Sequence, residues 1–330
     1  MATHAPGKHY REGISIIDLL DMFPDDATAE AWFVEQRWPE GNICCPSCGS
    51  LNVQTKTAHK TMPYRCREKE CKLAYFSVKT GTVMQSTKLP YRTWILALYL
   101  LLTSLKSVSS MKLHRDLKIT QKSAWHLAHR LRKAQVDKTG LFGKGPIEAD
   151  ESHFGGRRAL MSNAKRKELA DTGRGAVGKT AVAGLKDRAS NQVRAKVVPD
   201  TTAETLQGFI VEHADAFATV YTDESKSYAS LPFDHDSVKH SASEYVKGDA
   251  HTNGMESFWS GLKRAQKGTF HKFSPKHLDR YVQEFAAKHN LRESGTLEQM
   301  RRVVRGMGAR RLRYADLIAD NGLSSGARSG

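Results

Sequence analysis

The chain has 330 residues, room for about two domains, and a formal net charge of +16. Its composition, 39% hydrophobic and 26% charged, is that of a globular protein and excludes a fibrous or low-complexity chain. Its longest apolar run, "WILALYLLL" at Trp94–Leu102, is far short of the ~20 residues of a bilayer span, and no apolar h-region opens the chain. A cytoplasmic protein with no membrane partner is the expectation. The basic surplus points to a polyanion, nucleic acid first, over a surface that is merely basic and soluble.

Residues 1–40 read as an N-terminal helical segment, with "TAEAWFVEQRW" amphipathic and Thr28 as its N-cap. Residues 41–82 hold all five cysteines, which in a reduced compartment signal metal binding. Cys45-x2-Cys48 and Cys66-x4-Cys71 are two knuckles able to close four thiolates around structural Zn²⁺. The short strand-like runs "VQTK", "PYRC" and "AYFSV" make the unit a zinc ribbon, with Pro46 and Gly49 in its first turn. Cys44 is the alternative to Cys45 as ligand, and unrelated buried thiols are the plain reading. A unit this small lacks a core of its own and depends on the metal.

Residues 88–138 read as a helical DNA-binding region. Pro90 opens one helix. "SVSSMKLHRDL" and "TQKSAWHLAHRLRKA" form two more, joined by a turn at Lys118–Ile119, with Thr120 as cap. Ala124, Leu127, Ala128 and Leu131 face inward. Gln121, Lys122, His126, Arg130 and Lys133 stay available for solvent or phosphate, and Lys122 and Arg130 are the candidate DNA contacts. The pattern fits a helix-turn-helix or a plain helical hairpin with a basic face.

Residues 145–292 alternate strand-like and helical runs: three strands, then helix, strand, strand and helix, predicting a mixed α/β sheet. "GPIEADE" ends a strand on Asp150 and Glu151, and "FATVYTDES" ends another on Asp223 and Glu224. In "DAHTNGMESFWSGLKRAQKG", Met255, Phe258, Trp259 and Leu262 form one apolar helix stripe, flanked by Glu256 and Lys263 two turns apart. If the two strands are neighbours and that stripe packs on the sheet, Asp150, Asp223 and Glu256 converge as oxygen ligands for two Mg²⁺ ions, with Mn²⁺ as substitute. Lys263 would then hold a phosphate beside them. Solvated strand ends and helix caps are the plain alternative. The basic stretch between the first two strands, with Arg157, Arg158, Lys165, Arg166, Lys167 and Lys179, reads as a DNA-contacting loop or a solvated linker. His251 and Lys267 are further candidate DNA contacts. "SPKHLDRYVQEFAAKHN" is a helix with a structural role, and residues 293–330 form a basic C-terminal tail.

These residues carry a resemblance. "CPSCGS", "IEADESHFGGR", "GAVGKTAVAGLKDR", "VYTDESKSY" and "HTNGMESFWSGLKRAQKGTFHKFSPKHLDRYVQEFAAKHNLR" together resemble the DDE-type insertion-sequence transposases with an N-terminal zinc ribbon, the ISXO-like, fifteen-ninety-five family. The likeness spans roughly residues 18–292. It implies a ribonuclease H-like catalytic core, a bacterial, nucleoid-associated protein, and two divalent ions per active site. Asp150 corresponds to the first acid and Asp223 to the second. The third position is Glu or Asn in this family, and both Asn253 and Glu256 stand there. Glu256 is favoured, because a carboxylate binds Mg²⁺ better than an amide and the Glu256 to Lys263 interval is the one expected of DDE enzymes. The implied reaction is phosphodiester hydrolysis at element ends, then attack of the freed 3′-hydroxyl on target DNA. The implied partners are element terminal repeats, target DNA and further copies of the chain, as a dimer or higher assembly on DNA. The rivals are a zinc-ribbon regulator without catalysis and a nuclease that cuts without joining.

Overall fold

The computed structural model describes residues 12–136, 140–143, 145–156, 161, 163–168, 178–223, 226–238, 251–323 and 325. The chain forms two compact units, one of residues 1–136 with 291–319 and one of residues 137–290 with 320–330.

The first unit is built from helices α1 (Ile16–Met22), α2 (Asp26–Arg37), α3 (Tyr91–Thr103), α4 (Ser110–Leu117) and α5 (Gln121–Ala134), with three short strands β1 (Val53–Gln54), β2 (Tyr64–Cys66) and β3 (Tyr75–Phe76) between α2 and α3. The strands form an antiparallel sheet in sequence order. Asp25 caps α2 by accepting from the Thr28 amide, so the cap lies three residues before the position read from sequence. The α4–α5 turn falls where expected. Lys118 takes the left-handed conformation (φ 51°) and Thr120 accepts from the Ser123 amide. From the far end of the chain, α10 (Thr296–Arg305) and α11 (Tyr314–Ile318) join this unit. Their apolar residues explain why: Met300, Val303, Val304 and Met307 lie in one core with Trp94, Leu98, Leu101 and Leu127. That core also takes Phe76, Val78, Cys45 and Cys66, so the cysteine-bearing sheet shares an interior with the helices instead of standing alone.

The second unit holds a five-stranded mixed sheet. Its strands are β4 (Ile147–Phe154), β5 (Thr180–Asp187), β6 (Val193–Val198), β7 (Thr219–Asp223) and β8 (Asp234–Val238), in the order β6-β5-β4-β7-β8. β4, β5 and β6 are antiparallel, while β7 runs parallel to β4 and β8 parallel to β7. Short α6 (Asn163–Glu168) lies between β4 and β5 in the chain. Strand alternation sends Ile147, Ala149, Ala183, Leu185 and Val220 to one face, under Leu206, Phe209 and Ile210 of α7 (Ala203–His213). Val182, Phe154, Val193 and Ala195 go to the other, under α8 (Asn253–Ala265) and α9 (Pro275–Asn290). The α8 stripe Met255, Phe258, Trp259 and Leu262 is buried there. Gly184 permits the contact: a Cβ on it would lie 2.3 Å from Met255 Cε and 2.7 Å from the Trp259 ring.

Candidate active site and metal centre

The acidic site follows from strand register. β4 and β7 are parallel neighbours, paired at Ile147 with Val220 and at Glu148 with Tyr221. Asp150 and Asp223 each stand three residues beyond the first pair, so the same offset sets them side by side on the face that α8 covers. The Trp259 indole N–H donates to Asp150 Oδ2 at 3.0 Å, and the Glu151 amide donates to Asp150 Oδ1 at 2.8 Å. Burial, then the charges of Glu151 and Asp223, push the Asp150 carboxyl up to about 7. Glu151 points to the opposite face, where the Tyr228 hydroxyl donates to it at 2.8 Å, and burial raises its pKa too. Glu151 and Asp223 thus both disfavour ionisation of Asp150, an arrangement that a cation relieves.

Glu256 and Asn253 are both exposed on the first turn of α8. On a helix advancing about 100° per residue, Glu256 and Lys263 fall within about 60° of Trp259, the residue that reaches Asp150, while Asn253 falls about 120° away. Lys263 is exposed at the far end of α8. After burial itself, Lys179 and then Lys263 lower the pKa of His153, so both ammonium groups act near the end of β4. The donors Asp150, Asp223 and Glu256 are all oxygen, which suits a hard ion such as Mg²⁺ or Mn²⁺. They do not close as tightly as the cysteines do: among the described residues, Cys45, Cys48, Cys66 and Cys71 are the one set of potential ligands within 4.8 Å of one another.

The cysteine set fits zinc. The Cys45–Cys71 and Cys48–Cys66 sulfur separations are both 3.7 Å, close to the edge of about 3.8 Å for a tetrahedron with Zn–S near 2.3 Å. Gly49, at φ +75°, closes the first knuckle by donating to the Cys45 carbonyl. Cys44 lies outside the set, its sulfur accepting from the Trp38 indole at 3.3 Å.

The candidate DNA contacts divide. Arg166, Lys167, Lys179 and Lys267 are exposed. Lys165 belongs to α6, and Arg157 and Arg158 lie outside the described residues. Lys122 is exposed with its ammonium 4.4 Å from the Tyr314 ring centroid. Arg130 does not stay available for phosphate. It is 8% exposed and donates to the Leu312 and Gln85 carbonyls at 3.2 Å, because the 310–314 segment lies along this side of α5. His126 and Lys133 contact the same segment through the carbonyls of Leu312 and Arg311. His251 joins an internal network with Arg188 and Glu148. Sequence reading passed over Glu148, Arg188 and Tyr221. The available signal was a charged residue inside an apolar strand, two positions before Asp150 and hence on its face.

Fold and site define a class: a mixed α/β protein with a half-buried carboxylate pair on neighbouring strands and a separate four-thiolate cluster. Residues 143–290 match the ISXO2-like transposase domain. A protein of Halobacterium salinarum, described as an uncharacterized protein in transposable element ISH50, is 27% identical over 258 residues, covering 74% of this chain and 84% of its own length. Through these matches the chain resembles the ISXO2-like insertion-sequence transposases, the family model covering its residues 143–290. One chain of a simian T-cell lymphotropic virus intasome, solved in complex with PP2A regulatory subunit B56 gamma, aligns over 53% of this chain and 67% of its own at 15% identity. Its TM-score of 0.26 is too low to establish a shared fold.

Proposed function

We propose that the chain cuts DNA at the ends of an insertion sequence and joins the freed 3′-hydroxyl to target DNA. The observation that carries this reading is the Asp150–Asp223 juxtaposition: two half-buried acids on neighbouring parallel strands, Asp150 being raised to about 7. The mixed sheet with helices on both faces supports a ribonuclease H-like core. Asp150, Asp223 and Glu256 would hold two Mg²⁺ or Mn²⁺ ions, with Asn253 at the flank of the site. When bound, such ions activate the attacking oxygen and stabilise the leaving one. Trp259 and the Glu151 amide each take one Asp150 oxygen, fixing the carboxylate plane and leaving each oxygen a further lone pair. Lys263 holds the scissile-strand phosphate, and Lys179 and Lys267 extend the positive surface along the backbone. No protein nucleophile is needed, because positioning and charge neutralisation lower the barrier. The four thiolates hold Zn²⁺ and lock the small sheet. Two copies assembled on DNA would bring two ends together.

The test is incubation of the purified chain with labelled element-end DNA, with Mg²⁺ or with chelator. Cleavage and joining with Mg²⁺, both lost in Asp150→Asn while DNA binding persists, is the expected result. Cutting without joining assigns a nuclease. Binding without cutting, in a chain that retains zinc, assigns a regulator. Normal cleavage by Asp150→Asn refutes the site.

A further inference from the structure

We infer that Glu148, Arg188 and Tyr221 form a positioning bracket that sets the start of α8 against the Asp150–Asp223 pair. This rests on the site reading above. Glu148 stands two residues before Asp150 and Tyr221 two before Asp223, so both lie one pleat behind the acids on the same sheet face, and they are direct register partners. Arg188, just beyond β5, ties them together. Its Nε donates to Glu148 Oε1 at 2.9 Å, and its guanidinium lies 4.5 Å from the Tyr221 ring centroid. The same guanidinium reaches the residue before the α8 N-cap, donating to the His251 carbonyl at 2.6 Å and meeting His251 Nδ1 at 2.8 Å.

The other Glu148 oxygen completes the bracket. Oε2 accepts from the Met255 amide at 2.9 Å, in the first turn of α8. Thr252, the N-cap residue of that helix, makes no side-chain cap bond. The cap therefore comes from a strand 107 residues away in sequence. A local cap travels with its helix, whereas a cap borrowed from β4 fixes the helix start to the strand that carries Asp150. Gly254 leaves room for this contact, since a Cβ there would sit 2.7 Å from Glu148 Oε2 and 2.5 Å from Lys186 Nζ and would displace one or both side chains. Glu256 follows the capped amide by one residue. The three elements that bear Asp150, Asp223 and Glu256 are thus joined directly behind the acids, α8 to β4 by Glu148, which is 2% exposed, and β7 to both through Arg188. Glu148 touches no reacting atom in this arrangement. It acts through α8.

The test uses the full, zinc-replete chain without DNA, with Mn²⁺ alone as probe. Mn²⁺ affinity is measured by calorimetry, and α8 order by hydrogen exchange of a peptide spanning Met255 and Glu256. In Glu148→Gln, Mn²⁺ is expected to bind at least tenfold more weakly, and the first α8 turn to exchange at least tenfold faster, with β5 exchange unchanged. Arg188→Lys keeps the charge but loses the fork and the stacking, and is expected to weaken Mn²⁺ about threefold. It serves as the test if Glu148→Gln does not fold. Unchanged Mn²⁺ affinity in the folded variant, against binding lost in Asp150→Asn, overturns the bracket and leaves the site standing. Wild-type chain that binds no Mn²⁺, or whose binding survives Asp150→Asn, overturns both.

Discussion

Asp150→Asn is expected to stabilise the ion-free protein at neutral pH and to lose most of that advantage over wild type when divalent ions are present. Asp150 is raised from 3.8 to about 7, by burial first and then by Glu151 and Asp223. Between those values the folded chain keeps a proton that the unfolded chain has released. The stability of the ion-free protein therefore falls as pH rises through that window, by up to about 1.4 kcal/mol per pH unit and about 4 kcal/mol in all. Asn is neutral throughout, keeps the size of Asp and still offers Trp259 a carbonyl oxygen. The gap between the two proteins should open from near zero at about pH 4 to its ceiling of about 4 kcal/mol above pH 7. Mg²⁺ at a hundred times its dissociation constant returns about 2.7 kcal/mol to wild type alone and closes most of the gap. The assay is hydrogen exchange of β4 and β5 peptides in both proteins at each pH, with and without Mg²⁺. Comparing proteins at the same pH cancels the intrinsic exchange rate. A gap that does not change with pH would show that Asp150 is not held in a charge-disfavouring site, and the account of the acidic pair would fail.

Gly184→Ala should lower the urea midpoint by the equivalent of about 1–3 kcal/mol, because the new methyl meets the rigid Trp259 ring as well as the flexible Met255 tip. An unchanged midpoint would mean that α8 does not lie on β5 as described. Removing zinc with a thiol-reactive mercurial should release one equivalent per chain and destabilise the whole first unit, since Cys45 and Cys66 share its core. Loss confined to the 41–82 segment, read by hydrogen exchange, would contradict that coupling. Arg130→Ala should lower thermal stability and leave the salt slope of DNA binding unchanged, as befits a side chain spent on the Leu312 and Gln85 carbonyls. In Lys263→Gln/Lys267→Gln, each lost phosphate contact should reduce that slope by about 0.9, and an unchanged slope would remove both residues from the DNA surface.

Much of the architecture was written in local pattern. The spacing of Met255, Phe258, Trp259 and Leu262 marks a helix stripe, and all four are buried in α8. "GPIEADE" marks a strand, which in the structure continues to Phe154, and the two cysteine knuckles are legible because their ligands lie close in sequence. Lys118 and Thr120 mark a turn through their own backbone preferences. The basic run after residue 292 was legible as charge only. Its amphipathic period, with Met300, Val303 and Val304 on one side, needed a partner surface before it meant anything, and that surface is built from α2, α3 and α5.

The sequence by itself determined the element types, the cysteine cluster and the two acid-bearing strands, because periodicity, turn chemistry and ligand spacing act over a few residues. β4, however, runs on to Phe154 and so holds Asp150 within it and not at its end. Tertiary structure alone decided that β4 and β7 are neighbours in register, that Trp259 reaches back 109 residues to Asp150, and that a segment 182 residues further along buries Arg130. A helical pattern states which face is apolar, not what that face will meet. Which carboxylate becomes buried, which arginine is spent on the backbone and which strand caps a distant helix are settled only when chain entropy has been overcome and the surfaces pack.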